Sequence, residues 1–162
     1  MTDVTIDLAG QDDVSALAEL RWGLYAEYQG LPTEAPEAYR ERFAAFATEA
    51  LVSGEWRCWV ARARGRLVGA MWLQTVPRVP IPGKRAGPMG YLTNVYVAPE
   101  RRDGGLGATL LDHVTSWCRD EGYSFVIVWP TERSRPFYGR GGFEPRDEPL
   151  VLDLGPDEAL AD

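Results

Sequence analysis

The chain has 162 residues, 45% of them hydrophobic and 25% charged, with a formal net charge of −7. That length supports one domain with a sizeable core, and the acidic balance argues against general nucleic-acid binding. No apolar run approaches the roughly 20 residues of a membrane span, and two cysteines with one histidine supply neither a disulfide framework nor a zinc ligand set.

Residues 5–8 read as a first strand. Gln11, Asp12 and Asp13 then offer capping chemistry for a helix over about 13–28, in which Leu17, Leu20, Leu24 and Tyr28 recur at helical spacing. Gly30-Leu31-Pro32 breaks that pattern. A second helix is predicted over about 36–51, with Tyr39, Phe43 and Phe46 on one stripe and Ser53-Gly54 at its stop. Residues 57–64 alternate apolar with basic side chains, as a half-exposed strand does, and 67–74 are its partner across a turn at Gly65. Residues 76–88 hold four prolines and two glycines and read as a loop. A strand at 91–97, a helix at 109–121 stopped by Gly122, a buried strand at 125–129 and a last strand at 150–154 complete a mixed α/β order.

Charge is unevenly spread. Residues 1–55 carry eleven Asp/Glu and three Arg, whereas residues 56–97 carry seven Arg/Lys and no acid. The acidic first third suits a cationic substrate or, more plainly, solvated helix faces.

The segment from Val95 to Ala108 is a strand, a Pro-marked turn and a glycine loop that opens a helix. Such a loop favours an anion: glycine lets the backbone approach a ligand, and the first helical N–H groups lack internal partners. A Gly-x-x-x-x-Gly-Lys-Ser/Thr loop is excluded because the single lysine, Lys84, lies elsewhere. A dinucleotide Gly-x-Gly-x-x-Gly loop fails because Leu110 stands at the third glycine. Arg102, Gly105 and Gly107 satisfy Arg/Gln-x-x-Gly-x-Gly/Ala instead. Downstream, Phe137-Tyr138-Gly139-Arg140-Gly141-Gly142-Phe143 follows the strand at 125–129.

With both motifs, in that order and at that spacing, the chain resembles the GCN5-related N-acetyltransferase (GNAT) superfamily, most specifically over about 90–145. The resemblance implies a mixed, mostly antiparallel sheet with splayed central parallel strands flanked by helices. It implies one domain over 1–162, with a cofactor-binding core at about 90–145 and acceptor-side helices at about 11–55. The implied reaction is direct transfer of an acetyl group from acetyl-CoA to a primary amine of a small molecule or peptide. A non-catalytic acyl-CoA-binding sensor, and an O-acyl or longer-acyl transferase on the same fold, stay open.

Four chemical requirements assign residues under that resemblance. The diphosphate falls to Asp103, Gly104, Gly105, Leu106, Gly107 and Ala108, with Arg102 adding a charge-assisted contact. The pantetheine amides fall to the strand edge at Val95, Tyr96 and Val97, and Thr131 and Ser134 are further cofactor candidates. Tyr138 matches the family's acid that protonates the departing thiolate; its competing role is a packed aromatic. The amine must lose a proton, yet no acid lies in 91–97 or 125–131. Asn94 is the candidate to hold a relaying water, or is a strand amide bonded to backbone. His113 is read as a surface residue. Trp22, Tyr25 and Trp72 are the acceptor-side candidates. The expected setting is cytoplasmic, with no metal, nucleic acid or membrane partner, and with room for a homodimer.

Overall fold

A computed structural model describes residues 4–146, 149–155 and 157. Five strands, β1 (Val4–Leu8), β2 (Trp56–Ala63), β3 (Arg66–Val76), β4 (Met89–Val97) and β5 (Phe125–Val128), lie side by side in chain order. The first four pair antiparallel and β4–β5 is parallel. Helices α1 (Val14–Gln29) and α2 (Pro36–Ser53) cover one face, and α3 (Leu106–Asp120) covers the other. A short helix, α4 (Arg135–Arg140), follows β5. The mixed α/β sheet expected from the sequence is therefore present, and no helix among the described residues is long and apolar enough to cross a membrane.

The period of two in the central strands sorts side chains between two cores. Cys58, Val60, Ala70 and Trp72 pack beneath α1 and α2. Trp59, Met71, Leu73 and Leu92 pack beneath α3 with Leu110, Leu111 and Val114. The strand expected to be half-exposed is thus buried on both faces, because helices cover both. Arg62, half-buried on the α1 side, is answered by Asp13, which accepts two hydrogen bonds of 2.7 and 2.8 Å. That contact holds the Asp13 carboxyl below the usual carboxylate range. Asp13 also accepts from the Gly10 N–H at 2.8 Å, so it secures the entry to α1. The β2–β3 turn has positive φ at both Arg64 (49°) and Gly65 (76°), the type I′ geometry that matches strand twist.

Two expectations change. Residues 150–154 form no strand: Leu150, Leu152 and Leu154 are 82–95% exposed. An apolar run becomes a strand only where an edge receives its backbone groups. β5, one of the two edge strands among the described residues, is only partly buried, with Phe125 38% exposed.

The loop after β3 docks on the turn after α3. Ser124 donates from N to the Pro88 carbonyl (2.9 Å) and from Oγ to the Gly87 carbonyl (3.1 Å). A Cβ on Gly87 would lie 1.8 Å from the Gly122 oxygen, which is backbone and cannot step aside. Gly87→Ala is expected to destabilise by about 2–3 kcal/mol, the upper range of overpacking. Thermal unfolding followed by circular dichroism should show Tm lowered by roughly 5–10 °C.

Candidate active site

The site begins where β4 and β5 part. They pair from Met89↔Phe125 to Leu92↔Val128, and beyond Leu92 the β4 edge has no strand partner on that side among the described residues. At the same point β4 carries a bulge. Ala70 pairs with Tyr96 and Trp72 with Thr93, so Met71 alone faces Asn94 and Val95. Asn94 takes φ +50°, a left-handed conformation that asparagine tolerates better than most residues. Because of the extra residue, Leu92 and Val95 both pack in the core under α3. Asn94 and Tyr96 turn toward α1: Asn94 Oδ1 accepts a long 3.5 Å contact from Arg21, and the Tyr96 hydroxyl abuts Gly23. The expected backbone bond of the Asn94 side chain is not seen among the described residues; this long approach of Arg21 stands in its place.

Past β4, a single 3-10 turn (Pro99–Arg101) leads into the glycine loop. Asp103 (φ 62°) and Gly105 (φ 80°) are left-handed, and α3 starts at Leu106. The Leu106, Gly107 and Ala108 N–H groups are the first of the helix and have no carbonyl one turn behind them. They stand at the positive end of the helix dipole. Gly107 sits against the ring of Phe137, 3.3 Å from where a Cβ would be. Asp103 is exposed.

Arg102, expected as a phosphate contact, lines the cleft but has its guanidinium engaged by the protein. Its Nε donates to the Val97 carbonyl at 2.9 Å, and both terminal nitrogens donate to the Glu27 carboxylate at 2.6 Å. The guanidinium also lies over the Tyr96 ring, 5.4 Å from its centroid. Bidentate charge-assisted pairing outcompetes a solvated guanidinium here, so Arg102 is an internal strut. The cations at the cleft that are not so engaged are Arg133, 70% exposed and 3.7 Å from Glu27, and Arg140.

The opposite wall comes from the segment after β5. Thr131 and Ser134 bond mainly to each other: the Thr131 Oγ1 accepts from the Ser134 N–H (3.3 Å), and the Ser134 Oγ donates to the Thr131 carbonyl (3.1 Å). Thr131 is therefore spent on capping a turn, while Ser134 reaches the cleft. Tyr138 is 6% exposed and packs edge-on against Phe137 and Phe143 at 5.0 and 5.6 Å between centroids. Burial, with a smaller contribution from Tyr28, pushes its phenol up to about 12.

These walls enclose a cleft of about 640 Å³, within the usual range for small-molecule sites. Val95, Tyr96, Val97, Arg102 and Asp103 line it, followed by Gly105, Leu106, Gly107 and Ala108 from the loop and Ser134 and Tyr138 from the far wall. Of the cofactor candidates, Gly104 and Thr131 do not; nor does the catalytic candidate Asn94, which precedes Val95 on β4. Leu24, Tyr28 and Met71 line it too. The first two sit on the helical stripe that spacing alone assigns to the core. His113 is exposed on α3, and its Nδ1 donates to the Thr109 carbonyl.

On the acceptor side Trp72 is corrected. It is 2% exposed, wedged among Phe43, Phe46 and Trp56, so it supports the wall from beneath and cannot touch an acceptor. Trp22 leans on Tyr39 at 5.3 Å, and Tyr25 is 43% exposed. The Tyr39 hydroxyl is buried with no hydrogen-bond partner among the described residues, and burial pushes it up to about 12. Several acids of α1, α2 and the loop between them are answered by arginine: Glu19 and Glu37 by Arg40, Glu34 by Arg42, Glu27 by Arg102. The acidic first third is thus better described by paired, solvated helix faces than by an open lure for cations.

The chain matches the acetyltransferase (GNAT) family over residues 16–143. A glucosamine 6-phosphate N-acetyltransferase of Trypanosoma brucei brucei is 30% identical over 155 residues, which is 95% of this chain and all of that protein. Among solved structures, a predicted acetyltransferase of Clostridium acetobutylicum, crystallised with acetyl-CoA, superposes with a TM-score of 0.80 at 20% identity, covering 93% of this chain and 96% of its own. A GCN5-related N-acetyltransferase from Ralstonia eutropha does so with a TM-score of 0.76 at 22% identity, covering 94% and 99%. At those identities the likeness is one of fold.

Proposed function

The chain belongs to the acetyltransferase (GNAT) family, and from that premise we propose that it transfers an acetyl group from acetyl-CoA directly to a primary amine. The observation that carries this reading is the cleft itself. One wall is an unpaired strand edge, one end is a helix N-terminus stripped of side chains by Gly105 and Gly107, and Tyr138 stands on the far wall. An extended ligand with amides in its middle and phosphates at one end fits those surfaces by chemistry. Its amides can add to the β4 edge as a strand would, and its phosphates can meet the N–H groups of Leu106, Gly107 and Ala108. Arg133 and Arg140 supply the cationic charge that Arg102 spends on Glu27.

When bound, acetyl-CoA supplies an activated acetyl thioester. The chain's own part is then positional and protic. Tyr138 donates a hydrogen bond toward the sulfur as negative charge builds there. Asn94, fixed by the bulge, offers a carboxamide on the α1 side, where it orients the amine or a water that carries its proton away. Trp22 and Tyr25 bound the acceptor's approach. The small-molecule amine acceptor is supported by the glucosamine 6-phosphate N-acetyltransferase relative. Buried, unpaired Cys58 and Cys118 suit a reducing, cytoplasmic setting.

The test is to incubate the purified protein with acetyl-CoA and a panel of primary amines that includes glucosamine 6-phosphate, other amino sugars, polyamines and N-terminal peptides. Free thiol is then followed with a chromogenic disulfide. Amine-dependent thiol release is expected. Tight acetyl-CoA binding by calorimetry with no thiol release from any amine would favour a non-catalytic sensor, and no binding would overturn the proposal.

A further inference from the structure

Resting on the acetyl-CoA reading of the cleft, we infer that Glu27 is a positioning residue for the cofactor: through Arg102 it holds the entrance of the glycine loop in its binding form and ties α1 to that loop. The pair spans 75 positions of sequence and joins elements that no strand ladder connects. Both carboxylate oxygens are used, each by a different guanidinium nitrogen. The third guanidinium direction is fixed by the carbonyl that ends β4, and the flat face by Tyr96. Arg102 is therefore held from three sides at the residue just before Asp103.

That place matters because Asp103 is left-handed without being glycine, a conformation aspartate tolerates better than most residues but that still costs free energy its surroundings must offset. Two residues later Gly105 repeats the left-handed turn and α3 begins. An untethered Arg102 lets Asp103 relax, and the N–H groups of Leu106 to Ala108 lose their common aim. The same Glu27 oxygen lies 3.7 Å from Arg133 on the far side of the cleft. One carboxylate thus touches the acceptor helix, the loop and the segment after β5. Leu24 and Tyr28, the cleft-lining residues of α1, flank Glu27 on that helix and share its position.

Glu27 is not the missing base. Hydrogen bonds from Arg102 hold its carboxyl below the usual range, and both oxygens are already accepting. A carboxylate so stabilised takes up a proton poorly.

The experiment measures acetyl-CoA Kd by calorimetry, together with KM and kcat, for the full chain and for Glu27→Ala, Glu27→Gln, Arg102→Ala and the Glu27→Ala/Arg102→Ala double variant. Circular dichroism verifies that each is folded. Glu27→Ala is expected to raise Kd and KM for acetyl-CoA about fivefold, the cost of re-imposing one left-handed residue, with the loss falling on KM rather than kcat. Glu27→Gln, which keeps one acceptor, should fall between. Since Glu27 acts through Arg102, the double variant should bind no worse than Arg102→Ala alone. Losses that add in the double variant, or a loss confined to kcat, would overturn the inference. So would unchanged Kd in Glu27→Ala and Glu27→Gln beside a wild type that binds. A wild type that does not bind acetyl-CoA would overturn the parent reading of the cleft as well.

Discussion

Tyr138→Phe is expected to lower turnover about 10²-fold, the lower end of what a positioned proton donor contributes, with acetyl-CoA affinity changed less than about twofold, since the ring's packing is kept. The ring contacts to Phe137 and Phe143 survive the substitution, because only the hydroxyl is removed. What is lost is the hydroxyl of a cleft-lining residue, the donor proposed above for the departing thiolate. Burial pushes that phenol up to about 12, whereas a free thiol titrates near 8.5. Handing the proton over completely is therefore uphill. The hydroxyl works best as a hydrogen-bond donor to growing charge, worth about 1.5–3 kcal/mol. The sign of the pH dependence follows. A donor with a raised pKa is intact below that pKa, so Tyr138 adds no falling limb to kcat between pH 7 and 10. Only the rise from amine deprotonation belongs in that window. Steady-state kinetics over pH 6–10 on wild type and Tyr138→Phe decides the matter. Equal turnover would remove the hydroxyl's role. A falling limb near pH 8–9 that vanishes in the variant would show the phenol titrating far lower than its burial dictates.

Gly107→Val is expected to weaken acetyl-CoA binding about 10²-fold, the equivalent of losing one or two charge-assisted hydrogen bonds. A Cβ at this position already meets Phe137 at 3.3 Å and Val97 at 3.7 Å. The branched side chain must displace the Phe137 ring or rotate the first turn of α3, and either movement turns the Leu106–Ala108 N–H groups away from their shared target. Phe137 also packs on Tyr138, so turnover at saturating cofactor should fall too. Gly107→Ala should show the same pattern more weakly. Calorimetric titration with acetyl-CoA, beside desulfo-CoA as a ligand that cannot react, reads the binding loss directly. Wild-type affinity in Gly107→Val would mean that the phosphates sit somewhere other than this helix end.

The parts of the site that sequence reveals are those built from neighbours in the chain. Arg102 to Ala108 and Phe137 to Phe143 announce a loop and a donor because glycine and tyrosine do their work within a few residues of where they stand. The helix at residues 14–29 was equally readable from Leu17, Leu20, Leu24 and Tyr28, but the role of that stripe was not: its first half is core and its second half lines the cleft. That split depends on where β4 and β5 diverge, a tertiary event. Arg102 reads as a phosphate ligand until Glu27, 75 residues away, is seen to hold it. Trp72 is an acceptor-side candidate by resemblance until Phe43 and Phe46 of α2 are seen to pack against it. Residues 150–154 fail for the converse reason: their pattern is that of a strand, but a pattern does not supply an edge to join.

The bulge at Asn94 has a consequence for how the chain tolerates changes in length. Dropping one residue from a strand normally turns every later side chain onto the wrong face. Here the surplus residue is already absorbed, with Met71 opposite both Asn94 and Val95. Excising Asn94 would leave Leu92, Val95 and Val97 facing α3 and Tyr96 facing α1, now in an unbroken ladder. Deletion scanning across β4 should therefore find folded, unkinked proteins where one of residues 93–95 is removed, with activity lost when it is Asn94, and collapsed ones farther out along the strand. The position marks where sheet regularity was traded for a gap between two strands.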